Sequence, residues 1–248
     1  MIRIGSKDSC AIVSEVGGTV VRWVHNGKDL IFPEQKMGDK SRGGIPITFP
    51  FFGSSPFETI PKHGWLRHQT LEVAKQEEDH VVLVGQNEKT TSFEWLLKYR
   101  VSILMRSEDA LTINLEVERI DDGEHYDTPV NPGFHPYFIS DPRAYAVAHS
   151  LARVGEKVIS EFPLKSARIP AADPILIRSG EKTVRMELLG SFDTDSILTL
   201  WSDEPTKYFC VEPVLQSPDR YQDADKGKFL KPGNKLEISL QLSFVGYD

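Results

Sequence analysis

Four short segments carry side chains able to move protons or grip polar ligands, and each sits where a regular pattern breaks. His135 lies in Asn131-Pro132-Gly133-Phe134-His135-Pro136-Tyr137-Phe138. An imidazole among apolar neighbours has its charged form disfavoured, which tunes it as a proton donor or acceptor near neutral pH. Taken alone, a core histidine bonded to a backbone carbonyl is the plainer reading. Glu212 follows Tyr208-Phe209-Cys210-Val211 and precedes Pro213. A carboxylate at the end of an apolar strand is either paired or raised in pKa, the placement a general base needs. An ordinary strand-end charge partnered by lysine or arginine explains it equally simply.

His63 stands between Lys62 and Gly64-Trp65-Leu66-Arg67. A glycine that lets the backbone approach closely, an indole face and two cations together suit a carbohydrate; a turn with solvated charges is the alternative. Arg42 opens Arg42-Gly43-Gly44-Ile45-Pro46, which runs on to Phe49-Pro50-Phe51-Phe52-Gly53. Its planar fork suits anions or vicinal hydroxyls, or it is an incidental surface charge. The Gly-Lys-Ser/Thr ending of a phosphate-binding loop is absent, as are Gly-x-Ser-x-Gly, His-Glu-x-x-His and a dinucleotide fingerprint. General acid–base chemistry on a polar small molecule is what these residue types support together.

The elements that must position them are strands. Trp95, Leu97, Tyr99, Val101, Ile103 and Met105 alternate with polar or mixed residues. After a Ser107-Glu108-Asp109 turn, Leu111, Ile113, Leu115 and Val117 do the same, which predicts a long antiparallel hairpin. Lys231-Pro232-Gly233-Asn234 announces a last strand in which Leu236, Ile238, Leu240, Leu242 and Phe244 alternate with polar residues. Shorter strands are expected at Cys10–Val13, Thr19–His25, Leu71–Ala74, Val81–Val84, Ser196–Trp201 and Tyr208–Val211, with turns at Gly17-Gly18 and Asn26-Gly27. Glu181–Leu189 is too short to assign. Ser41–Arg67 and Thr128–Pro142 do not alternate and mix aromatic with basic residues, as binding loops on a rigid sheet do. The expectation is one all-β domain over 1–248, a large antiparallel β-sandwich.

The 248 residues are 40% hydrophobic and 26% charged, enough to bury a sizeable core. A net charge of −7 argues against nucleic acid. Cys10 and Cys210 lack metal-ligand spacing and make at most one disulfide. MIRIGSKDSC lacks the apolar core of a signal peptide and no run reaches membrane-spanning length, so a soluble cytoplasmic protein is expected.

Taken in order, the four segments resemble the aldose 1-epimerase (galactose mutarotase-like) family. Arg42-Gly43-Gly44-Ile45-Pro46 is similar to its arginine-diglycine-proline segment, especially in the hexose-6-phosphate branch. His63-Gly64-Trp65-Leu66-Arg67 is similar to a His-Gly-aromatic-x-Arg motif, Phe134-His135-Pro136-Tyr137-Phe138 to the segment around the catalytic acid, and Cys210-Val211-Glu212-Pro213 to the strand bearing the catalytic base. The resemblance implies an antiparallel supersandwich with an open sugar cleft. It implies that Glu212 takes the proton of the anomeric hydroxyl while His135 protonates the ring oxygen, and that His63 binds the sugar. Arg42 and Arg67 join His63 as substrate-binding residues. The family's aspartate for sugar hydroxyls has no clean counterpart here, with Asp193 and Asp173 as the candidates. The branch's Thr-Asp-Arg-aromatic stretch has none.

The function expected is therefore an isomerase that interconverts the α and β anomers of an aldohexose or hexose 6-phosphate, without metal or cofactor, as a monomer or weak homodimer. A non-catalytic carbohydrate-binding or regulatory protein on the same scaffold is the alternative, although binding alone would not require both His135 and Glu212. A polysaccharide lyase is a third possibility.

Overall fold

The alternation forms the predicted hairpin between Leu97–Ser107 and Ala110–Arg119. The register sets Val101 against Leu115 and Ile103 against Ile113, so the apolar stripes of both strands share one face. The last strand, Lys235–Tyr247, extends that face by setting Ile238 opposite Leu115 and Leu240 opposite Ile113. All of these side chains are buried, whereas Lys98 and Arg100 on the other face are exposed. A shift of one residue would put every leucine of the stripe in water, which is why the period of two specifies the register so firmly. The coordinates are a computed structural model that describes residues 1–121, 123, 126–140, 152–159, 166–179, 182–218, 220 and 227–247.

Among the described residues these strands lie at the middle of a nine-stranded antiparallel sheet. It runs from Lys157–Ile159 at one edge, through Lys182–Gly190 and Lys235–Tyr247, to Glu72–Gln76 at the other. A six-stranded sheet is centred on Tyr208–Val214, with Ile197–Trp201 and then Ala167–Pro170 on one side. On its other side lie Tyr137–Ile139, Gly133–Phe134 and Ile47–Thr48. A four-stranded sheet, Ile2–Gly5 to Lys28–Asp29, completes the main layers. One apolar cluster draws on all three sheets, with Trp23, Ile103, Leu240, Leu198 and Val211 among its buried members. The fold is an all-β antiparallel sandwich, as the alternation predicted. Truncating any one of these buried aliphatic side chains to alanine costs about 2–5 kcal/mol.

Several boundaries differ from expectation, each for a physical reason. Trp95 does not extend the hairpin stripe; it packs against Phe57 and Phe93 in an aromatic group beside the strand. Leu71 is buried just ahead of its strand, and Glu72–Gln76 is an exposed edge with a bulge between Val73 and Lys75. The unassigned segment is strand Lys182–Gly190, with Met186 opposite Leu242. Cys10 and Cys210 are buried free thiols. The irregular stretch ending at Pro142 is described as far as Ser140, and Asp141 and Pro142 lie outside the described residues. Among the described residues, no helix is long and apolar enough to cross a membrane.

The departure that matters most concerns Glu212. Its strand does not end at Val211 but continues to Val214, so Glu212 lies within it. The neighbouring chain pairs through Tyr137–Ile139 with Cys210–Tyr208, and again at Gly133 with Val214. Val211, Glu212 and Pro213 therefore face an interval in the ladder where Phe134, His135 and Pro136 have no register partner in this strand. Pro136 and Pro213 have no N–H to donate, which is tolerated where the ladder is interrupted. Gly133 is needed at the lower edge of the interval, because a Cβ there would meet the Pro213 carbonyl oxygen at 2.6 Å.

Candidate active site

The interval brings His135 beside Glu212. His135 Nε2 lies 3.6 Å from Glu212 Oε2, with the two side chains 7% and 2% exposed. Both line one open cavity of about 780 Å³. Tyr137 stacks on the His135 ring at 4.8 Å and 14°, while Trp201 meets it edge-on at 5.9 Å. The imidazole is thus held in one plane by aromatic packing. Among the described residues, its buried Nδ1 has no hydrogen-bond partner.

Burial raises the Glu212 carboxyl well above its ordinary range, with the charge of Lys62 acting in the opposite sense. Burial likewise drives the His135 imidazole well down, helped by His63 and by the charge of Arg67. Desolvation thus favours the neutral form of each, while their mutual approach favours the imidazolium–carboxylate pair. Two groups this close titrate together, and the pair passes through a state that holds a single proton.

His63 faces His135 at 5.3 Å between ring centroids. The Gly53 backbone N–H donates to the His63 ring at Nδ1 at 3.2 Å, and the His63 backbone N–H donates to the Gly53 carbonyl at 2.7 Å. With Nδ1 accepting, the ring proton sits on Nε2. Burial, with Arg67 and Lys62 nearby, lowers the His63 pKa to about 3, so it remains a neutral donor. His63 holds φ = 67°, unusual for a residue with a side chain. Gly64 follows at φ = +77°, where a Cβ would meet the Phe49 carbonyl oxygen at 1.9 Å. The Lys62–Arg67 segment is therefore pressed onto the Phe49-Pro50 backbone, which sets the direction of the His63 ring.

Arg42 also lines the cavity, but its fork is largely committed. Nη2 donates to Asp203 Oδ2 at 2.6 Å, Nε to Tyr208 Oη at 3.1 Å, and Nη1 to the Ser41 carbonyl at 3.2 Å. The guanidinium lies 5.4 Å from the Trp201 ring centroid. Lys62 and Arg67 line the same cavity and make no ion pair among the described residues.

Asp193 behaves differently. Its carboxylate is taken by Lys228, and it is absent from the described cavity wall. Asp173 is absent from that wall too. The reason for Asp193 is local: it opens the Asp193–Ser196 turn ahead of the Ile197 strand, with its N–H bonded to Ser196 Oγ, where Lys228 is near. Among the described lining residues Glu212 is the one carboxylate. Thr199, Trp201 and Tyr137 line the cavity although motif reading passed over them. Thr199 had a signal: it is the polar residue of Ile-Leu-Thr-Leu-Trp, and it lies directly opposite Glu212 in the register. Asp203, the partner of Arg42, had none.

The arrangement sets an imidazole and a carboxyl group, side chains able to give and take protons, on the wall of one aromatic-lined cavity. A family model described as aldose 1-epimerase matches residues 1–173, and the chain belongs to that family. The match includes Arg42, His63, Arg67 and His135, and ends before Glu212. A Salmonella typhimurium protein provisionally named glucose-6-phosphate 1-epimerase is 25% identical over 125 residues, 50% of this chain and 39% of that protein. The matched stretch is thus well under half of that relative's length. A galactose mutarotase related enzyme from Lactobacillus acidophilus superposes with a TM-score of 0.75 at 13% identity, covering 99% of this chain and 97% of that one. A structure from Escherichia coli K12, provisionally described as an aldose 1-epimerase, gives 0.75 at 15% identity, covering 98% of each chain. At such identities the likeness is one of fold.

Proposed function

We propose that this protein interconverts the α and β anomers of an aldohexose carrying an anionic group, with a hexose 6-phosphate preferred over the free sugar. The observation that carries the reading is the 3.6 Å approach of His135 Nε2 to Glu212 Oε2 on the wall of one cavity. A hemiacetal has two oxygens on one carbon, so a donor and an acceptor this close can address both at once. Glu212, as carboxylate, takes the proton of the anomeric hydroxyl as His135, as imidazolium, gives one to the ring oxygen. The ring opens to the aldehyde, the C1–C2 bond turns, and the reverse transfers close it on the other face. Each cycle returns the single shared proton, so nothing is consumed. Such paired transfer contributes about 10²–10⁴-fold in rate. Neutral His63 donates to a sugar oxygen, and Trp201 and Tyr137 supply flat apolar walls.

The preference for an anion is supported by the uncompensated charges of Lys62 and Arg67 against a single buried carboxylate. Arg42, already bound to Asp203, shapes the wall. The test is to follow anomer equilibration of freshly dissolved α-glucose by polarimetry and of glucose 6-phosphate by nuclear magnetic resonance, side by side. Acceleration of both, larger for the phosphate and lost in Glu212→Gln, is expected. A purified protein that accelerates neither removes the epimerase reading, and equal rates on both remove the anion preference.

A further inference from the structure

We propose that His135, Cys210 and Glu212 form a binding site for a thiophilic divalent cation of the zinc type, whose occupation excludes sugar. Cys210 and Glu212 are two residues apart on one strand and share a face, and the interrupted ladder sets His135 over that face. One ligand atom from each lies within 4.8 Å of the other two. Tetrahedral zinc, with bonds of about 2.0–2.3 Å, needs ligand atoms roughly 3.3–3.8 Å apart. The Nε2–Oε2 separation is already 3.6 Å and the three ligand atoms lie within 4.8 Å of one another, so closing the site takes a side-chain adjustment of about an ångström.

The donor set is imidazole, thiolate and carboxylate, the mixture that selects zinc-like ions over magnesium or calcium. Three protein ligands leave one coordination position open, as in zinc sites that exchange a water. The ion enters from the cavity that His135 and Glu212 line. Cys210 lies beneath, packed with Phe32, Tyr137 and Tyr208, and the proposed sugar chemistry makes no use of it. Binding releases the thiol proton, and any carboxyl proton, to solvent; one thiolate and one carboxylate then balance the two positive charges. The nearby charges of Lys62 and Arg67 oppose the ion and hold its affinity below that of a structural zinc site.

The exclusion of sugar rests on the function proposed above, whereas the binding does not. Chelator-treated protein is titrated with Cd²⁺ while the ultraviolet thiolate-to-metal charge-transfer band is followed, with calorimetry for stoichiometry. One equivalent and a saturating band that Zn²⁺ displaces are expected. Loss of an outer-shell partner alone weakens a metal site about 10–100-fold; Cys210→Ala, losing a ligand, should remove the band and raise the Cd²⁺ dissociation constant by at least about 100-fold. Cys210→Ser, checked by circular dichroism, guards against a packing defect, and Cys10→Ser should leave the band intact. A band that survives Cys210→Ala, or no saturable band in the parent protein, overturns the site. Glucose 6-phosphate should raise the apparent dissociation constant for Cd²⁺. Cd²⁺ binding indifferent to that sugar overturns the exclusion alone, and Cd²⁺ binding by a protein without turnover counts against the epimerase reading and leaves the cation site standing.

Discussion

Glu212→Gln should make the protein progressively more stable than the parent as pH rises, while removing its activity. The Glu212 carboxyl is 2% exposed, and burial raises its pKa well above 4.5 in the folded state. The unfolded chain ionises near that ordinary value. Above it the folded protein keeps a proton that the unfolded chain has released, so the group's contribution to stability is full below the unfolded pKa. It is lost as pH climbs towards the folded pKa, at about 1.4 kcal/mol per pH unit. Glutamine keeps the shape, cannot ionise, and removes this slope. For a chain of this size 1 kcal/mol moves Tm by about 2–4 °C, so the Tm difference between variant and parent should widen by about 3–6 °C per pH unit from roughly pH 5 upward. Thermal melts of both proteins in matched buffers containing a chelator measure it. Any fixed cost of burying the amide shifts the difference by a constant and leaves its slope intact. A difference that does not vary with pH would refute the claim that desolvation governs Glu212.

Further expectations follow from the same geometry. Gly64→Ala places a Cβ 1.9 Å from the Phe49 carbonyl oxygen at φ = +77°. The left-handed backbone alone costs about 1–2 kcal/mol, so a Tm loss beyond 4 °C or so with a displaced His63 and weaker turnover is expected; unchanged melting would show that the segment is not pressed onto this backbone. Asp203→Asn weakens the fork held at 2.6 Å on Arg42, and the pair is only partly buried, so a cost of about 1–2 kcal/mol is expected in denaturant melts, with KM affected more than kcat. No change in either would show that Arg42 needs no lock. Arg67→Ala should raise KM for glucose 6-phosphate several-fold more than for glucose, and equal changes in steady-state kinetics would contradict an anion contact.

What could be read without coordinates was whatever depends on near neighbours in the chain. Alternation of Leu111, Ile113, Leu115 and Val117 with polar residues depends only on the strand period and on one wet face, and it located the central hairpin and the last strand. The irregular, aromatic and basic stretches around His63 and His135 announced themselves in the same way, because a segment that does not alternate cannot be an ordinary half-buried strand. What lay beyond reach were relations between distant segments. The interruption of the ladder opposite Val211–Pro213, with Gly133 on Val214 and Tyr137 on Cys210 in one unbroken register, depends on the pairing of two segments far apart in the chain, and no local pattern encodes it; it places Glu212 inside a strand and His135 beside it. Asp203 is 161 residues from Arg42 along the chain, so the arginine seemed free to grip a ligand until folding supplied its partner. Asp193 had the right residue type, but Lys228 holds its carboxylate. Residue type and spacing set the chemistry available to each segment; three-dimensional packing alone decided which charges were neutralised, which groups were desolvated, and therefore which of them were left to act.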